Sequence, residues 1–573
     1  MNLKLISMKN SILIYLFSSL LLLIGCEKKE HADTIYFGGD ILTMEGDTPE
    51  YVEAIAVKDG KIFSLGLLKD LKDYQGDATV MVDLKGQTLL PGFLDPHSHF
   101  INSLSMSTQA NCSAPPVGTS DTPEKIVASL EAFKSKKNIG DNEMIIGYGY
   151  DDTQMPAGHL LNRDHLDKAF PNNPVLVMHV SLHGAVLNSK ALEKYNFTAQ
   201  TETPPGGIIV RKPGTNEPYG LIMETAFIKV FANLPQPTPE QVKEQVKSGQ
   251  MLYAAAGITT AHEGASHMKD IKLFKQAAAN NEFFIDLVSY PFITDYEEVM
   301  ETYRPEDFGS YSNGFKLGGI KITIDGSPQG RTAYFTTPYL TGGPSGEKDW
   351  KGAPTFTQEM VNEMLKKVYD NNLQSTFHAN GDAAIDMCIK AHEYASNGNP
   401  SKERRTTIIH SQFVRKDQLD KFVAYKMIPS FYTEHTFFFA DAHITNRGIE
   451  QASFISPMKT AIEKGLRPTN HTDFNVAPID QMLVVWSAVN RTSRNGTVIG
   501  ADERITPYQA LQAITSNAAY QYFEEDSKGT LKAGKLADLV LLNQNPLKIK
   551  PSEIKNIQVV ETIKNGKTIY TLN

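Results

Sequence analysis

Cysteine is scarce in this sequence, which has three cysteines among 573 residues. Cys26, Cys112 and Cys388 lie far apart, so a scaffold stapled by disulfides is excluded. Long basic runs are also absent, and the net charge of −9 is spread along the chain, so nucleic acid is not an expected partner. The chain contains neither the G-x-S-x-G turn of a serine hydrolase nor the G-x-x-x-x-G-K-[ST] phosphate-binding loop. Neither of these two motifs therefore indicates the chemistry of this protein.

An apolar run lies at the start of the chain. Lys4 and Lys9 precede a stretch, residues 11–26, that is short for a membrane span, and this order is typical of a secretory signal. The stretch ends in "LLIGC", which resembles the bacterial lipobox, so residues 1–26 are predicted to be a lipoprotein signal peptide and Cys26 to carry the lipid. The alternative is an ordinary signal peptide or anchor with an incidental cysteine. We expect an extracytoplasmic protein, attached to a bacterial membrane by an N-terminal lipid alone.

The distribution of strand-like and helix-like segments predicts two domains. Both ends of the chain are rich in short strand-like runs, such as "TIYFGGDILTM" and "KLADLVLLNQNP". The middle alternates strand-like runs with helix-like runs, which predicts an α/β fold and, at this length, a (β/α)₈ TIM-like barrel. We expect residues 27–90 and 525–573 to form one small β-sandwich domain. Residues 91–524 would form the barrel, with a Pro- and Gly-rich insertion at about 105–245 that covers one mouth.

Side chains that bind metals follow the apolar runs of the predicted barrel. In "TLLPGFLDPHSHF", His97 and His99 are one residue apart, and on an extended segment this spacing puts both imidazoles on one face. Neutral imidazole is the commonest ligand of first-row metals. Later strand-like runs lead to Lys321, His378, His410, His471 and Asp473. Because active sites of such barrels lie at the carboxyl ends of the strands, the sequence predicts a metal site there.

These segments resemble the amidohydrolase superfamily, and most closely amidohydrolase family 3, which includes YtcJ-like proteins and N-substituted formamide deformylases. The resemblance runs from about residue 35 to the C-terminus and rests on "LLPGFLDPHSH", "GITTAHEGA", "IKITIDGSPQGRTA", "FHANGDAAID", "IIHSQFV" and "GTLKAGKLADLVLLNQNP". It implies a metal-dependent hydrolase barrel with a small β-sandwich built from both chain ends. It also implies that two ions, with Zn²⁺ expected and other divalent metals as alternatives, bind at the residues singled out above. His97, His99 and Asp473 would bind one ion and His378 and His410 the second, while Lys321, carbamylated by CO₂, would bridge them; with an unmodified lysine, one ion is expected.

The resemblance implies hydrolysis of a non-peptide C–N bond in a small-molecule amide, with Asp473, His378 and His410 as catalytic residues. The expected substrate is a linear N-acyl or N-formyl amine. One alternative is a cyclic-amide hydrolase or deaminase on the same scaffold, and another is a surface lipoprotein that binds a ligand without catalysis. Barrels of this kind often pair, so a homodimer is one expected assembly.

Two segments depart from the family pattern and bear on substrate choice. The last strand reads "NHTDF", which places His471 two residues before Asp473, and "SFYTEHTFFFADAH" adds His435 among bulky aromatic residues. Both histidines are expected to contact substrate. Arg331 and His183 are further candidates, the first for a substrate carboxylate or carbonyl and the second as a pocket-lining side chain of the insertion.

Overall fold

The protein is described by a computed structural model that covers residues 30–572, apart from residues 107, 116, 181–183, 206, 232, 235, 236 and 345. The predicted signal peptide with its lipidation site Cys26 lies outside the described residues, and so does His183. Among the described helices, none combines the length and the apolar character that crossing a membrane requires.

The strands in the described residues are β1 (Thr34–Leu42), β2 (Tyr51–Lys58), β3 (Lys61–Gly66), β4 (Val80–Asp83), β5 (Thr88–Pro91), β6 (Phe93–Leu94), β7 (Ala110–Asn111), β8 (Ile145–Tyr150), β9 (Val175–His179), β10 (Gly184–Leu187), β11 (Gly207–Arg211), β12 (Pro218–Glu224), β13 (Ile258–Ser266), β14 (Asp286–Pro291), β15 (Phe315–Leu317), β16 (Gly319–Thr323), β17 (Gln374–Ala379), β18 (Thr407–His410), β19 (Ile428–Phe431), β20 (Thr469–Asn470), β21 (Leu539–Leu542), β22 (Val559–Lys564) and β23 (Lys567–Thr571).

The helices in the described residues are α1 (Leu68–Leu71), α2 (Phe100–Met106), α3 (Pro123–Lys137), α4 (Arg163–Ala169), α5 (Ser189–Lys194), α6 (Thr225–Phe231), α7 (Pro239–Ala255), α8 (Met268–Ala279), α9 (Tyr296–Thr302), α10 (Gln358–Asp370), α11 (Asp382–Ala395), α12 (Lys416–Tyr425), α13 (His435–Phe438), α14 (Ala440–Arg447), α15 (Ile449–Ser453), α16 (Met458–Glu463), α17 (Gln481–Asn490), α18 (Pro507–Ala513) and α19 (Ser516–Gln521).

One sheet contains strands from both ends of the described chain. Its order is β23-β22-β21-β5-β1-β2-β3, and β4 also pairs with β1. The turn between β2 and β3 is made by Asp59 and Gly60, which both have positive φ, as a tight hairpin requires. Alternating side chains such as Ile41, Leu89 and Leu539 are fully buried on one face, so residues more than 400 positions apart share one core.

The central body is built from parallel strands that follow one another around a ring. One sheet has the order β15-β14-β13-β6 and a second has the order β16-β17-β18-β19-β20. A bridge between Phe292 and Lys321 joins the two sheets on one side. On the other side, the backbone N of Asp473 donates to the carbonyl of His97 at 3.1 Å, which joins the segments after β20 and β6. Helices α8 to α12 and α16 connect successive strands, as parallel pairing requires.

Two helices of this body begin after a threonine that acts as the N-cap residue. The hydroxyl of Thr238 accepts a hydrogen bond from the backbone N of Gln241, whose side chain accepts in return from the backbone N of Thr238, and α7 begins at Pro239 between them. The hydroxyl of Thr357 accepts from the backbone N of Met360 and caps α10. These caps define the first residues of the two helices.

A third sheet lies between β6 and α7. Its order is β11-β12-β10-β9-β8-β7, and it has apolar cores of its own around Leu130, Val177 and Ile222. The segment is therefore a folded unit with an internal core. Residues at its strand ends, among them Asn111 and Tyr148, line one cavity together with residues of the loops that follow β19 and β20.

Candidate functional site

A buried carboxylate in the segment after β6 accepts hydrogen bonds from the segment after β20. Asp95 accepts hydrogen bonds from the Thr472 hydroxyl at 2.6 Å and from the Thr472 backbone N at 3.2 Å. Burial raises the pKa of Asp95 to about 6, although the Thr472 hydrogen bonds oppose this shift. Asp95 therefore sets the relative position of the two segments that carry His97 and Asp473.

Metal-ligand side chains converge at this point. One ligand atom each from His97, His410 and Asp473 lies within 4.8 Å of the other two, and all three side chains are buried. Oδ1 of Asp473 is 3.4 Å from Nε2 of His97 and 3.8 Å from Nε2 of His99. Burial lowers the pKa of His97 and of His410, so both imidazoles are neutral and able to bind a metal.

Two of these residues have a backbone conformation that L-residues rarely adopt. His410 has φ 71° and Asp473 has φ 52°. Non-glycine residues with such angles cost about 1–3 kcal/mol and are concentrated at functional sites. The positive φ of His410 and Asp473 is therefore consistent with a functional role for both residues.

Lys321 lies inside the same cluster. Its Nζ is 3.4 Å from Nε2 of His97, and the side chain is almost completely buried. Burial lowers the pKa of Lys321 to about 7, although Asp473 and Glu263 oppose the shift. An ammonium group between two cations would be repelled. Lys321 can therefore lie between two ions only after its amine has reacted, and an unmodified Lys321 fits a single ion.

His378 and His410 form the second pair of imidazoles. Their ring centroids are 4.5 Å apart, and Nδ1 of His378 is 3.4 Å from Oδ1 of Asp325. Asp325 is buried and accepts three backbone N–H groups, those of Asn380, Gly381 and Tyr334, at 2.8–3.0 Å. Asp325 thus holds the loop after β16 against the end of β17 and faces His378.

His471 contacts the cluster directly. Its Nε2 is 3.2 Å from Nδ1 of His410, its Nδ1 is 3.0 Å from the Ser430 hydroxyl, and its ring stacks on Tyr432. His435 lies one layer further out, because its ring is 4.7 Å from Tyr432 and its Nδ1 is 2.9 Å from Nε2 of His443. The structure therefore brings His471 to the metal ligands and His435 to the side of Tyr432.

Arg331 is not among the residues that the structure brings together. Its carbonyl accepts a hydrogen bond from the Trp350 indole at 2.6 Å, and its backbone N donates to Pro328. Within the described chain, no hydrogen bond or ion pair connects the Arg331 side chain to the histidine cluster.

His262 and Glu263 are two site residues that sequence reasoning did not single out. Nδ1 of His262 is 3.3 Å from Nδ1 of His97, and its ring stacks on Tyr290 at 4.8 Å. Glu263 accepts from the backbone N of Ile101 at 2.6 Å, and burial raises the pKa of this carboxyl to about 8. Both lie in the middle of β13, in "GITTAHEGA", so the rule that identified residues at the strand ends could not find them.

The donor set fits divalent metal ions. Neutral imidazoles and a carboxylate suit zinc and neighbouring first-row ions. Among the described residues, the buried Nε2 of His262 has no hydrogen-bond partner, and Nδ1 of His378 has the Asp325 carboxylate at 3.4 Å without hydrogen-bond geometry, which is costly unless something else satisfies them. His97, His99, His378, His410 and Asp473 are the residues able to hold such ions, with Lys321 between them.

Comparisons with known proteins agree with this geometry. The sequence matches the amidohydrolase family over residues 80–570. It is 28% identical over 554 residues to YtcJ of Bacillus subtilis, covering 94% of this chain and 99% of YtcJ. It is 22% identical over 535 residues to the N-substituted formamide deformylase of Arthrobacter pascens, covering 90% of this chain and 95% of the deformylase.

The fold also matches a solved structure. The crystal structure of an uncharacterized metal-dependent hydrolase from Pyrococcus furiosus superimposes with a TM-score of 0.69 at 22% identity, over 90% of this chain and all of that one. This likeness confirms the predicted fold class, a TIM-like hydrolase barrel with a smaller domain. The family match and the hydrolase relatives confirm the predicted family and the prediction of an enzyme. The chain therefore belongs to the amidohydrolase family and is a hydrolase that acts on C–N bonds.

Proposed function

We propose that the protein hydrolyses the C–N bond of a linear amide, an N-acyl or N-formyl amine, in a metal-dependent reaction. The observation that carries this proposal is the approach of His97, His410 and Asp473 to within 4.8 Å of one another at the carboxyl ends of the strands. The similarity to an N-substituted formamide deformylase supports the substrate class. The reaction consumes one water and releases a carboxylic acid and an amine.

The ligands divide into two sets in this proposal. His97, His99 and Asp473 would hold one ion, and His378 and His410 would hold the other, with Zn²⁺ as the expected metal. Such ions, when bound, lower the pKa of water and polarise a carbonyl. Lys321, as its carbamate, would supply a carboxylate between the two sets; its amine reacts with CO₂ with loss of one proton. The lowered pKa of Lys321 favours this step because only the neutral amine is nucleophilic.

Asp473 would move the proton. Its carboxyl is buried, and burial raises its pKa to about 7 against the opposing effect of Lys321, so it can accept and release a proton near neutral pH. It would take a proton from the attacking water and deliver it to the leaving nitrogen. Negative charge on the carbonyl oxygen would develop beside His378 and His410. The partly exposed faces of His99 and His378 leave the substrate a route to this point.

Two measurements on the protein without its first 26 residues test this function. Elemental analysis after purification with zinc and bicarbonate is expected to find about two ions per chain, as a binuclear site requires. Product analysis with N-formyl and N-acyl amines should then show an acid and an amine. Release of ammonia would favour a deaminase, and a single ring-opened product would favour a cyclic-amide hydrolase. Near-zero metal together with no hydrolysis would leave a ligand-binding protein.

We also propose that Cys26 carries a lipid that attaches the chain to a bacterial membrane from the extracytoplasmic side. The sequence "LLIGC" after an apolar stretch supports this proposal. Membrane fractions of cells that express the full chain should contain the protein, and Cys26→Ser should prevent incorporation of a labelled fatty acid. A soluble full chain without label would contradict it. Sedimentation of the soluble form would test the expected homodimer.

A further inference from the structure

A cavity of about 490 Å³ lies beside the metal-ligand cluster, between the third sheet, α7 and the loops after β19 and β20. Phe474 forms part of its wall and directly follows Asp473 in the chain. The carbonyl of Phe474 accepts a hydrogen bond from the backbone N of His99 at 2.7 Å, so one short segment belongs to both the cavity and the metal site. This size is within the range of small-molecule sites.

The wall of this cavity is largely apolar. Phe438, Phe439 and Phe474 supply aromatic surface. Val180, Leu252 and Val476 also line it and are 53%, 37% and 51% exposed. Exposed apolar side chains that converge on one cavity favour an apolar ligand, because a ligand that covers them removes apolar area from water.

Arg494 brings a positive charge to the same wall. Its guanidinium carbon is 4.5 Å from the ring centroid of Phe438, and its backbone N donates to the carbonyl of Phe437 at 3.1 Å. The side chain is exposed to the cavity, and among the described residues no carboxylate forms an ion pair with it. The cavity encloses the guanidinium only in part; this partial desolvation lowers the pKa of Arg494, and the charge of Asp151, which lines the same cavity, opposes this shift. A guanidinium fixed by an aromatic face is suited to bind a carboxylate with two parallel hydrogen bonds.

We propose that Arg494 selects substrates whose amide carries an apolar substituent ending in a carboxylate. The apolar part lies against Phe438, Phe439 and Phe474, and the carboxylate pairs with the guanidinium that lies on the ring of Phe438. The net charge of −9 would otherwise disfavour an anionic substrate, so a local positive group is needed for such a ligand. The inference rests on the proposed amide hydrolysis and specifies its substrate class.

A matched pair of amides tests this specificity. The two substrates share one N-formyl aralkyl amine and differ only in a terminal carboxylate or its methyl ester. Arg494→Met is expected to lower kcat/KM for the carboxylate about 10- to 100-fold, mainly through KM, and to leave the ester within about twofold. Arg494→Lys should recover part of the loss. Arg304→Met, which removes an arginine that is 79% exposed elsewhere, should change neither value. An equal loss for both substrates, or no loss for either, would overturn the proposal.

A binding measurement separates this inference from the proposed function. Titration of the metal-loaded protein with an aralkyl carboxylic acid and with its primary amide, followed by calorimetry, needs no turnover. We expect the acid to bind at least about 10-fold more tightly than the amide, and Arg494→Met to remove the difference. If neither amide substrate is cleaved but this preference is found and Arg494→Met removes it, the amide hydrolysis is wrong and the carboxylate site stands; a preference that persists in Arg494→Met belongs to the metal ions and overturns the carboxylate site. If the acid and the amide bind equally to the wild type, the carboxylate site is wrong whatever the turnover.

Discussion

Asp473 is joined to His97 through both its side chain and its backbone. Oδ1 of Asp473 lies 3.4 Å from Nε2 of His97, and the backbone N of Asp473 donates to the carbonyl of His97 at 3.1 Å. The backbone bond fixes where the carboxylate lies, while the side chain supplies the chemistry. A substitution that preserves the shape of residue 473 therefore separates the two roles.

Asp473→Asn is expected to lower kcat by at least about 100-fold, because an amide cannot take up and release the proton that the carboxylate transfers. The side-chain oxygen of the variant and the four histidines would still face the ions, so metal content per chain should stay close to that of the wild type. Steady-state kinetics and elemental analysis on the same preparation measure both. Asp526→Asn, at an exposed position, is the matched control. Retention of wild-type kcat in Asp473→Asn would refute the proton-transfer role.

His262→Phe is expected to weaken metal binding about 10- to 100-fold. In the structure Nδ1 of His262 is 3.3 Å from Nδ1 of His97, so His262 can accept the proton on that nitrogen and leave Nε2 of His97 free for a metal. Phenylalanine preserves the stacking on Tyr290 but removes the acceptor. Competition with a chelator of known zinc affinity measures the change, and His262→Gln, which restores an acceptor, should lose less. Equal affinity in the Phe variant and the wild type would exclude this role.

Lys321→Met should lose most of its activity and should regain part of it with added formate. The carbamate supplies a carboxylate between the two ligand sets, and a free carboxylate can enter the space that the shorter charge-free side chain leaves. In the wild type, activation of metal-free protein by zinc and bicarbonate should become faster as the pH rises through about 7, since burial lowers the pKa of Lys321 to about that value and the neutral amine is the reacting form. Activation that is independent of bicarbonate, without rescue by formate, would rule out the carbamate.

Local patterns explain why part of the site could be predicted from the sequence. Side chains alternate along an extended segment, so the spacing of His97 and His99 determines that both can face one partner, here Asp473. The carboxyl ends of parallel strands lie at the same edge of a sheet, so the polar residues that follow each apolar run are expected to lie close together there. The confirmed fold class rests on the same alternation of strand-like and helix-like runs.

Other features could not be predicted because they depend on contacts between distant segments. His262 lies within an apolar strand, where a histidine looks like a packed core residue, and only its approach to His97 reveals its place in the site. The exposed Arg494 contacts Phe438 and lines one cavity with residues of the third sheet. These residues are brought together by loops, whose conformation cannot be predicted from a periodic sequence pattern. Arg331 follows a recognisable motif, but its carbonyl accepts a hydrogen bond from the Trp350 indole within the loop after β16, and this contact is not encoded in the motif.

A buried network of ion pairs lies at the opposite end of the barrel from the site. Asp286 begins β14, and its Oδ2 is 2.6 Å from Nζ of both Lys528 and Lys564. Lys564 ends β22 and also pairs with Asp538 at 2.7 Å, so the network ties the barrel to the sheet formed by both chain ends. A substitution that removes these ion pairs without changing catalysis therefore tests how much they stabilise the contact between the barrel and this sheet.

Asp286→Asn is expected to destabilise the protein near pH 7 and to leave kcat unchanged. Burial alone would raise the pKa of Asp286, but Lys528 and Lys564 lower it to about 2. A carboxyl whose pKa is lower in the folded state than its value of about 3.9 in the unfolded chain contributes stability above that value and loses it as the pH falls through the folded-state pKa. The difference in Tm between wild type and variant should therefore be largest above about pH 5 and should shrink as the pH falls below about 4. Thermal unfolding followed by circular dichroism from pH 7 downwards measures it, with Asp526→Asn as the control. A difference in Tm that stays constant across this range would show that the ion pairs are not its source.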